Sequence, residues 1–312
     1  MKNLDFNIIA SETLIASGSE SKEIIARLEV LKNKYSEIEL IATFNYFLKI
    51  EYDSDVLCWL IRTLDKYRDS SSLLPLTELL LMKDYTPNAD YSKDYYTNVR
   101  ALCAKAISNL KDNSSVHVLL CCLNDKNENY KVRLSCADAL GKLGDKYAVT
   151  TLMNVVSDED EKSVYIRESA AVALGLIGDM RAVDSLVKII ESKNGIMDKF
   201  SFLKEKAIEA LCRLSPNNDR TFNALKKSLY DQNPQVRINA IEALLDYQTT
   251  EADELIQSML FDKDEEVQKN AVIAMYNIAA EEFMHKIIDD PKYSQICKNE
   301  AQNLLENLED YE

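Results

Sequence analysis

One arrangement of apolar and small residues recurs six times between residues 99 and 278, at intervals of 31 to 37 residues. Position 0 of each copy is an aliphatic residue: Val99, Val132, Ile166, Leu203, Val236 and Val267. Position 4 is then Cys or Ala, position 7 is Ala, and positions 8 and 11 hold large side chains, nearly all of them apolar. These positions fall on one face of an α-helix with about 3.6 residues per turn. The pattern therefore predicts six amphipathic helices in a common register.

A second amphipathic helix is predicted between successive copies, because each intervening stretch carries its own apolar stripe. These stretches are Ser114–Asp125, Ala148–Asp158, Arg181–Ser192, Phe222–Asp231 and Glu251–Asp262. The unit is thus a hairpin of helix A followed by helix B, and one hairpin cannot bury its stripes without a neighbour. The small residues at positions 4 and 7 let a neighbouring helix approach closely. The predicted fold is all-α, a right-handed α-solenoid of about eight to nine hairpins.

The pattern is strongest in the middle of the chain and fades towards both ends. Residues 1–97 are therefore predicted to form degenerate N-terminal helical repeats, and residues 98–279 the regular repeats. Residues 280–312 are predicted to form a C-terminal capping repeat and an acidic tail. Terminal repeats diverge because one of their faces meets solvent instead of another repeat.

The stretch Ile166–Asp179, IRESAAVALGLIGD, gives the pattern most completely. Together the copies follow Val-Arg-x-x-Ala-x-x-Ala-Leu-Gly-x-Leu-Gly-Asp, which resembles the HEAT-like repeats first recognised in phycobilisome (bilin) lyases. The resemblance extends over more than half of the chain. It implies a ladder of ion pairs, in which an Asp that closes helix A pairs with an Arg that opens helix B. Asp231 and Arg237 fit that pairing, whereas Arg100 and Lys204 have no Asp close before them.

The charge balance of the chain restricts its partners. With 52 acidic and 37 basic residues the net charge is −15, which disfavours nucleic acid and anionic membranes, since both require concentrated positive charge. No stretch approaches the roughly 20 apolar residues of a membrane span. The seven cysteines follow no disulfide framework, which favours a cytoplasmic, reducing compartment. The expected partner is another protein or peptide with basic and apolar residues.

No motif in the chain predicts a catalytic, metal or cofactor site. The two histidines, His117 and His285, lie far apart, and neither is followed by Glu as in the iron-binding His-Glu pairs of some helical-repeat hydroxylases. Cys103 and Cys136 fall on the buried stripe, where cysteine acts as a small apolar residue. Phosphate-binding glycine motifs are absent from the sequence. These observations favour a protein that is not an enzyme and needs no cofactor.

The remaining candidate site is a surface. Positions 2, 6 and 9 of helix B are predicted to face away from helix A and to line the inner, concave side of the solenoid. Aliphatic and aromatic residues are frequent there, interleaved with the carboxylates of Glu168, Glu205 and Glu209. An exposed face rich in such residues is typical of a peptide-binding groove. The predicted protein-binding residues are Leu134, Val172, Ile238, Glu242, Leu245, Ile273 and Tyr276. The alternative is that neighbouring helices cover them.

A second candidate surface is the edge formed by the loops from helix A to helix B. The longest of these loops, Lys83–Asn98, contains four tyrosines, of which Tyr91, Tyr95 and Tyr96 are predicted to contact a partner. Insertions along one edge of a repeat protein often mark its binding side. The alternative is that this loop folds back over exposed core.

Three hypotheses for the function follow from these patterns. The first is a protein-binding scaffold or adaptor that uses the concave groove. The second is implied only by the family resemblance: a bilin lyase-like protein that assists chromophore attachment to phycobiliproteins. The third, a nucleic-acid-binding helical-repeat protein, is disfavoured because the groove positions are mostly apolar or acidic.

Overall fold

The computed structural model describes residues 5–14, 20–83, 96–192, 201–214 and 218–309. Within these ranges the chain forms seventeen α-helices and no strand. In chain order the helices are α1 Phe6–Thr13, α2 Ser21–Leu31, α3 Glu37–Ile50, α4 Ser54–Tyr67, α5 Leu73–Leu81, α6 Thr97–Leu110, α7 Val116–Asn124, α8 Tyr130–Leu143, α9 Val149–Ser157, α10 Val164–Ile177, α11 Val183–Glu191, α12 Ser201–Leu214, α13 Asp219–Ser228, α14 Pro234–Leu245, α15 Thr250–Ser258, α16 Glu265–Asp289 and α17 Gln295–Glu309.

The helices alternate between the two predicted types. Up to α15, odd-numbered helices are helix A and even-numbered helices are helix B. α16 supplies one of each, because Ala280 interrupts it with φ 49° and ψ −151°, which lie outside the helical region. Its second half then pairs with α17. The described residues therefore form nine hairpins, and the predicted all-α solenoid class is confirmed.

The chain divides into two compact units, Met1–Leu152 and Met153–Glu312. In the first unit α4, α6 and α8 pack side by side, with α3, α5 and α7 behind them. In the second unit α10, α12, α14 and the first half of α16 form such a row, backed by α11, α13 and α15. The stripe residues at positions 0, 4, 7 and 8 of helix B are buried in both units. Each core thus lies between a row of A helices and a row of B helices.

Within the second unit, α10 and α12 approach so closely that only small residues fit between them. A Cβ placed on Gly175 would lie 2.8 Å from the Cα of Ala210 and 3.0 Å from its Cβ. Gly175 is position 9 of α10 and Ala210 is position 7 of α12. Position 9 of one helix B therefore faces position 7 of the next. The alanine at position 7 allows successive B helices, and not only the A and B helices of one hairpin, to pack tightly.

Ion pairs connect successive repeats of the second unit. Lys204 of α12 pairs with Asp231 at 2.6 Å, and Arg237 of α14 pairs with Asp262 at 2.7 Å. Each base, at position 1 of its helix B, thus reaches the acid that follows helix A of the next repeat. The predicted pairing of the Asp231 carboxylate with Arg237 is therefore wrong. Arg237 binds only the backbone carbonyl oxygen of Asp231, at 2.8 Å, because its guanidinium extends towards the following repeat.

Candidate functional site

The residues predicted for the groove lie in three different environments. Glu242 and Ile273 are exposed, with Ile273 at 38%. Leu134, Val172, Leu245 and Tyr276 are half-buried. Ile238 is only 7% exposed, so it belongs to the core and offers no surface to a partner.

The difference arises because neighbouring B helices cover some positions of a helix B and leave others exposed. Each residue advances a helix by about 100°, and the contact between Gly175 and Ala210 shows that position 9 is directed at the next helix B. Position 2 lies only about 20° from position 9 on the helical wheel, which explains why Ile238 is enclosed. Positions −1, 3, 6 and 10 lie between this side of the helix and the side marked by position 7, which faces the preceding helix B. We therefore define the B face of the second unit as these four positions of α10, α12, α14 and the first half of α16, together with the residues that border them at positions 2 and 9.

The predicted tyrosine-rich loop falls largely outside the described residues, and Tyr91 and Tyr95 lie there. Tyr96 is described and half-buried, and its hydroxyl donates a hydrogen bond to the carbonyl oxygen of Tyr52 at 2.7 Å. Asn98, predicted to end the loop, belongs to α6. Tyr96 thus stands directly before α6 and is hydrogen-bonded to Tyr52, another residue of the first unit.

Carboxylates are concentrated on the B face where α10 meets α12. Glu168 lies on α10, and Glu205 and Glu209 lie on α12. The ammonium group of Lys206 stands among them and bonds Glu209 at 2.7 Å. Among the described residues, these three carboxylates therefore share one cation, which leaves an excess of two negative charges. Glu205 is only 8% exposed, so one of these charges is largely withdrawn from water.

The pKa values of two of these carboxyl groups are raised. Burial raises the pKa of Glu205 most; Lys206 lowers it, and Glu209 raises it. Burial is also the main reason that the pKa of Glu168 is raised, with Lys206 opposing the shift and Glu205 adding to it. Both shifts indicate that the ionised forms lack full compensation from neighbouring groups. A cation supplied by a partner would favour the ionised forms.

Two exposed aromatic side chains next to these carboxylates were missed by the sequence prediction. Tyr165 and Phe202 are 60% and 58% exposed, and both occupy position −1 of their helices. The prediction counted positions only forward from position 0, although position −1 lies on the same face as position 6. The signal was present in the sequence, since an aromatic residue stands directly before the stripe in two consecutive repeats.

The described residues contain no group of three or more His, Cys, Asp or Glu side chains arranged to hold a metal ion. Cys103 and Cys136 are both fully buried, and burial raises the pKa of the Cys103 thiol above its ordinary value. The Cys103 thiol therefore packs as a small apolar group, and the Cys136 thiol is hydrogen-bonded to Cys122. Among the described helices, none is both long enough and apolar enough to cross a bilayer.

The repeats place the chain in a known family. A model of HEAT repeats matches residues 87–164, 125–212 and 222–305, which together exceed half of the chain. The chain belongs to the HEAT repeat family, as its sequence pattern predicted. No curated protein matches the sequence.

Solved structures share the fold at low sequence identity. Kap121p bound to Pho4p is 14% identical with a TM-score of 0.57, over 96% of this chain and 37% of that chain. The complex of CpcE and CpcF of phycocyanin lyase from Nostoc sp. PCC7120 is 21% identical with a TM-score of 0.45, over 86% of this chain and 94% of that chain. The first likeness indicates a common α-solenoid fold and no more.

Proposed function

We propose that this protein is a binding scaffold that holds a basic, amphipathic segment of another protein on the B face of its second unit. The observation that carries the proposal is the excess of carboxylates around Lys206, next to the exposed rings of Tyr165 and Phe202. A partner that offers both cations and apolar side chains would complement both features. Kap121p, which has the same fold, was solved in complex with another protein, Pho4p, and this is consistent with such a role.

The residues nearer the C-terminal end of the B face extend the same combination. Glu242 is exposed on α14, and Ile273 and Tyr276 lie on the first half of α16 with part of their surfaces accessible. A helical or extended segment that crossed α10, α12, α14 and α16 would thus meet apolar and acidic groups in turn. We propose that Leu245 and Val172, both half-buried, border this path.

The test uses a defined probe because no partner is known. A fluorescein-labelled amphipathic peptide of about four helical turns, with lysines on one face and leucines on the other, would be titrated with the full chain. Its counterpart would carry glutamate in place of lysine. The lysine peptide should bind, and its affinity should fall as salt is raised, while the glutamate peptide should not bind.

Matched charge reversals separate a specific site from general attraction to an acidic protein. Glu242→Lys on the B face should weaken binding of the lysine peptide by roughly tenfold. Glu254→Lys, on the exposed surface of α15, changes the net charge equally and should have little effect. Equal losses in both variants, or no binding by the wild-type chain, would overturn the proposal. If deletion of residues 90–95 abolished binding instead, the tyrosine-rich loop would be the site.

A further inference from the structure

One four-residue motif occurs in two consecutive repeats and in none of the other four. Directly after its first residue, α10 has Tyr165-Ile-Arg-Glu168, and α12 has Phe202-Leu-Lys-Glu205 at the same positions. The spacing of three residues places each aromatic ring and its glutamate next to each other on one helix face. Because Cα–Cβ bonds tilt towards the N-terminus of a helix, each glutamate side chain leans towards the ring that precedes it.

The basic residue inside each motif does not neutralise the glutamates, because it is engaged elsewhere. Nε of Arg167 donates to the carbonyl oxygen of Val156 at 2.9 Å. Lys204 pairs with Asp231 at 2.6 Å. Both bases thus belong to the contacts that hold hairpins together, and they are directed away from the B face.

Glu205 differs from every other buried charged residue that the structure describes. The six buried charged residues in the described ranges are Arg100, Glu128, Arg133, Arg167, Glu205 and Arg237. The other five bind a carboxylate, a guanidinium or a backbone carbonyl oxygen at distances of 2.7 to 2.9 Å. Glu205 forms no hydrogen bond or ion pair with another described residue, and its oxygens are not among the fully enclosed polar atoms that lack a partner. The carboxylate therefore keeps a narrow opening to solvent.

A basic side chain has the shape and charge that this arrangement lacks. Its alkyl stem can lie along an aromatic ring while its charged end reaches a carboxylate beyond the ring. Tyr165 and Phe202 are exposed on adjacent helices, with Glu168 and Glu205 one helical turn further along. Lys206, the cation that acts on both carboxylates among the described residues, is itself bonded to Glu209.

We propose that Tyr165, Glu168, Phe202 and Glu205 form one subsite for a single lysine or arginine side chain of the partner. The proposal rests on the function proposed above, and it deepens that function by naming where one basic residue is selected. Glu205 is the specificity-determining group, because a cation from the partner offsets the cost of keeping its largely buried carboxylate ionised. The rings favour a side chain with a long alkyl stem and a charged end, as in lysine or arginine, over a small cation.

The experiment is a double-mutant cycle between the full chain and the lysine–leucine peptide. Each lysine of the peptide is replaced in turn by norleucine, which keeps the stem and removes the charge. Glu205→Gln should weaken binding of the parent peptide at least about tenfold, and Phe202→Ala should weaken it severalfold. For one lysine position only, replacement should be as harmful as Glu205→Gln, and the two changes together should be no worse than either alone.

The outcomes distinguish the subsite from the broader function. If Glu205→Gln and Phe202→Ala leave the affinity unchanged while Glu242→Lys lowers it, the B face binds the peptide but the subsite is wrong. If Glu205→Gln weakens every norleucine peptide equally, Glu205 acts through general charge and the subsite is also wrong. If the wild-type chain binds no basic peptide, both proposals fail. Circular dichroism of each variant would confirm that the helical fold is retained.

Discussion

Two buried glutamates, one in each unit, have opposite surroundings. Glu128 in the first unit is bonded to Arg100 at 2.8 Å, with both side chains almost fully buried. Glu205 in the second unit is equally buried but forms no ion pair with a described residue. A buried charge is retained by a fold only where it is compensated or where it performs a function. Glu128 thus has the surroundings of a residue that stabilises the fold, whereas Glu205 has those expected of the proposed binding subsite.

The comparison is tested most severely by removing the charge of Glu128. Glu128→Gln leaves the guanidinium of Arg100 buried without its counter-ion and should lower the free energy of unfolding by about 3–5 kcal/mol. Urea denaturation followed by circular dichroism measures this loss. The double variant Glu128→Leu with Arg100→Met should recover much of it, because no charge then remains buried. A wild-type unfolding curve for Glu128→Gln would mean that the pair contributes nothing.

The second prediction concerns the close packing of α10, which carries Glu168, against α12, which carries Glu205. Gly175→Ala introduces a Cβ that would lie 2.8 Å from the backbone of Ala210, so α10 and α12 must move apart. We expect a loss of about 1–3 kcal/mol in the free energy of unfolding. Gly144→Ala is unsuitable as a control because of its positive φ. Leu176→Ala, at an exposed position of α10, should change stability by less than about 0.5 kcal/mol.

The fold was predictable from the sequence because its signal is periodic. A stripe at positions 0, 4, 7, 8 and 11 can be buried only by stacking, and the structure buries the stripe at positions 0, 4, 7 and 8 throughout. Ion pairs between repeats were predicted, but the residues that form each pair were not. A pairing such as Lys204 with Asp231 spans 27 residues, so proximity in sequence could not find it.

The candidate site was less predictable because it depends on how neighbouring B helices flank one another. The amphipathic pattern shows which side of helix B faces helix A, but it does not show how much of the opposite side a second helix B covers. Ile238 and Glu205 share position 2 and are both enclosed, whereas Glu168 at the same position of α10 stays half-buried. The carboxylates of the surface were visible in the sequence. That Glu205 is buried without a partner among the described residues could be learned only from the structure.

The third prediction is that Glu205→Gln stabilises the protein in the absence of a partner. Because burial raises the pKa of Glu205 in the folded chain, the ionised form lowers stability at neutral pH. The substitution should raise the free energy of unfolding by about 0.5–2 kcal/mol at pH 7, as seen when a functional residue is replaced. Thermal denaturation measures the change, and Glu254→Gln on the exposed surface of α15 is the matched control.

The same prediction has a pH dependence of known sign. Lowering the pH through the raised pKa protonates Glu205 in the folded state and removes its destabilising charge. The advantage of Glu205→Gln should therefore shrink on acidification and vanish well below the ordinary glutamate pKa of about 4.3, where the carboxyl is neutral in both states. Charged groups near Glu205 are Lys206, Glu209 and Glu168. An advantage that stayed constant from neutral to acidic pH would indicate an effect of shape rather than of charge.

The smallest expected effect on stability comes from the exposed rings of the second unit. Phe202→Ser removes a side chain that is 58% exposed, so the free energy of unfolding should change by no more than about 0.5 kcal/mol. The matched change in the first unit is Phe44→Ser, which removes a fully buried ring packed edge-on against Trp59 with centroids 5.7 Å apart. That substitution should lower stability by at least about 3 kcal/mol.

Urea denaturation of the two variants in parallel makes this last contrast decisive. A ring that packs into the core stabilises the fold, whereas a ring that remains in water contributes little to folding and can be retained for contact with a partner. Phe202→Ser should therefore leave stability intact while it weakens binding of the lysine–leucine peptide. If Phe202→Ser instead destabilises the chain by as much as Phe44→Ser, the ring covers core of its own unit. Its place in the proposed subsite would then be lost.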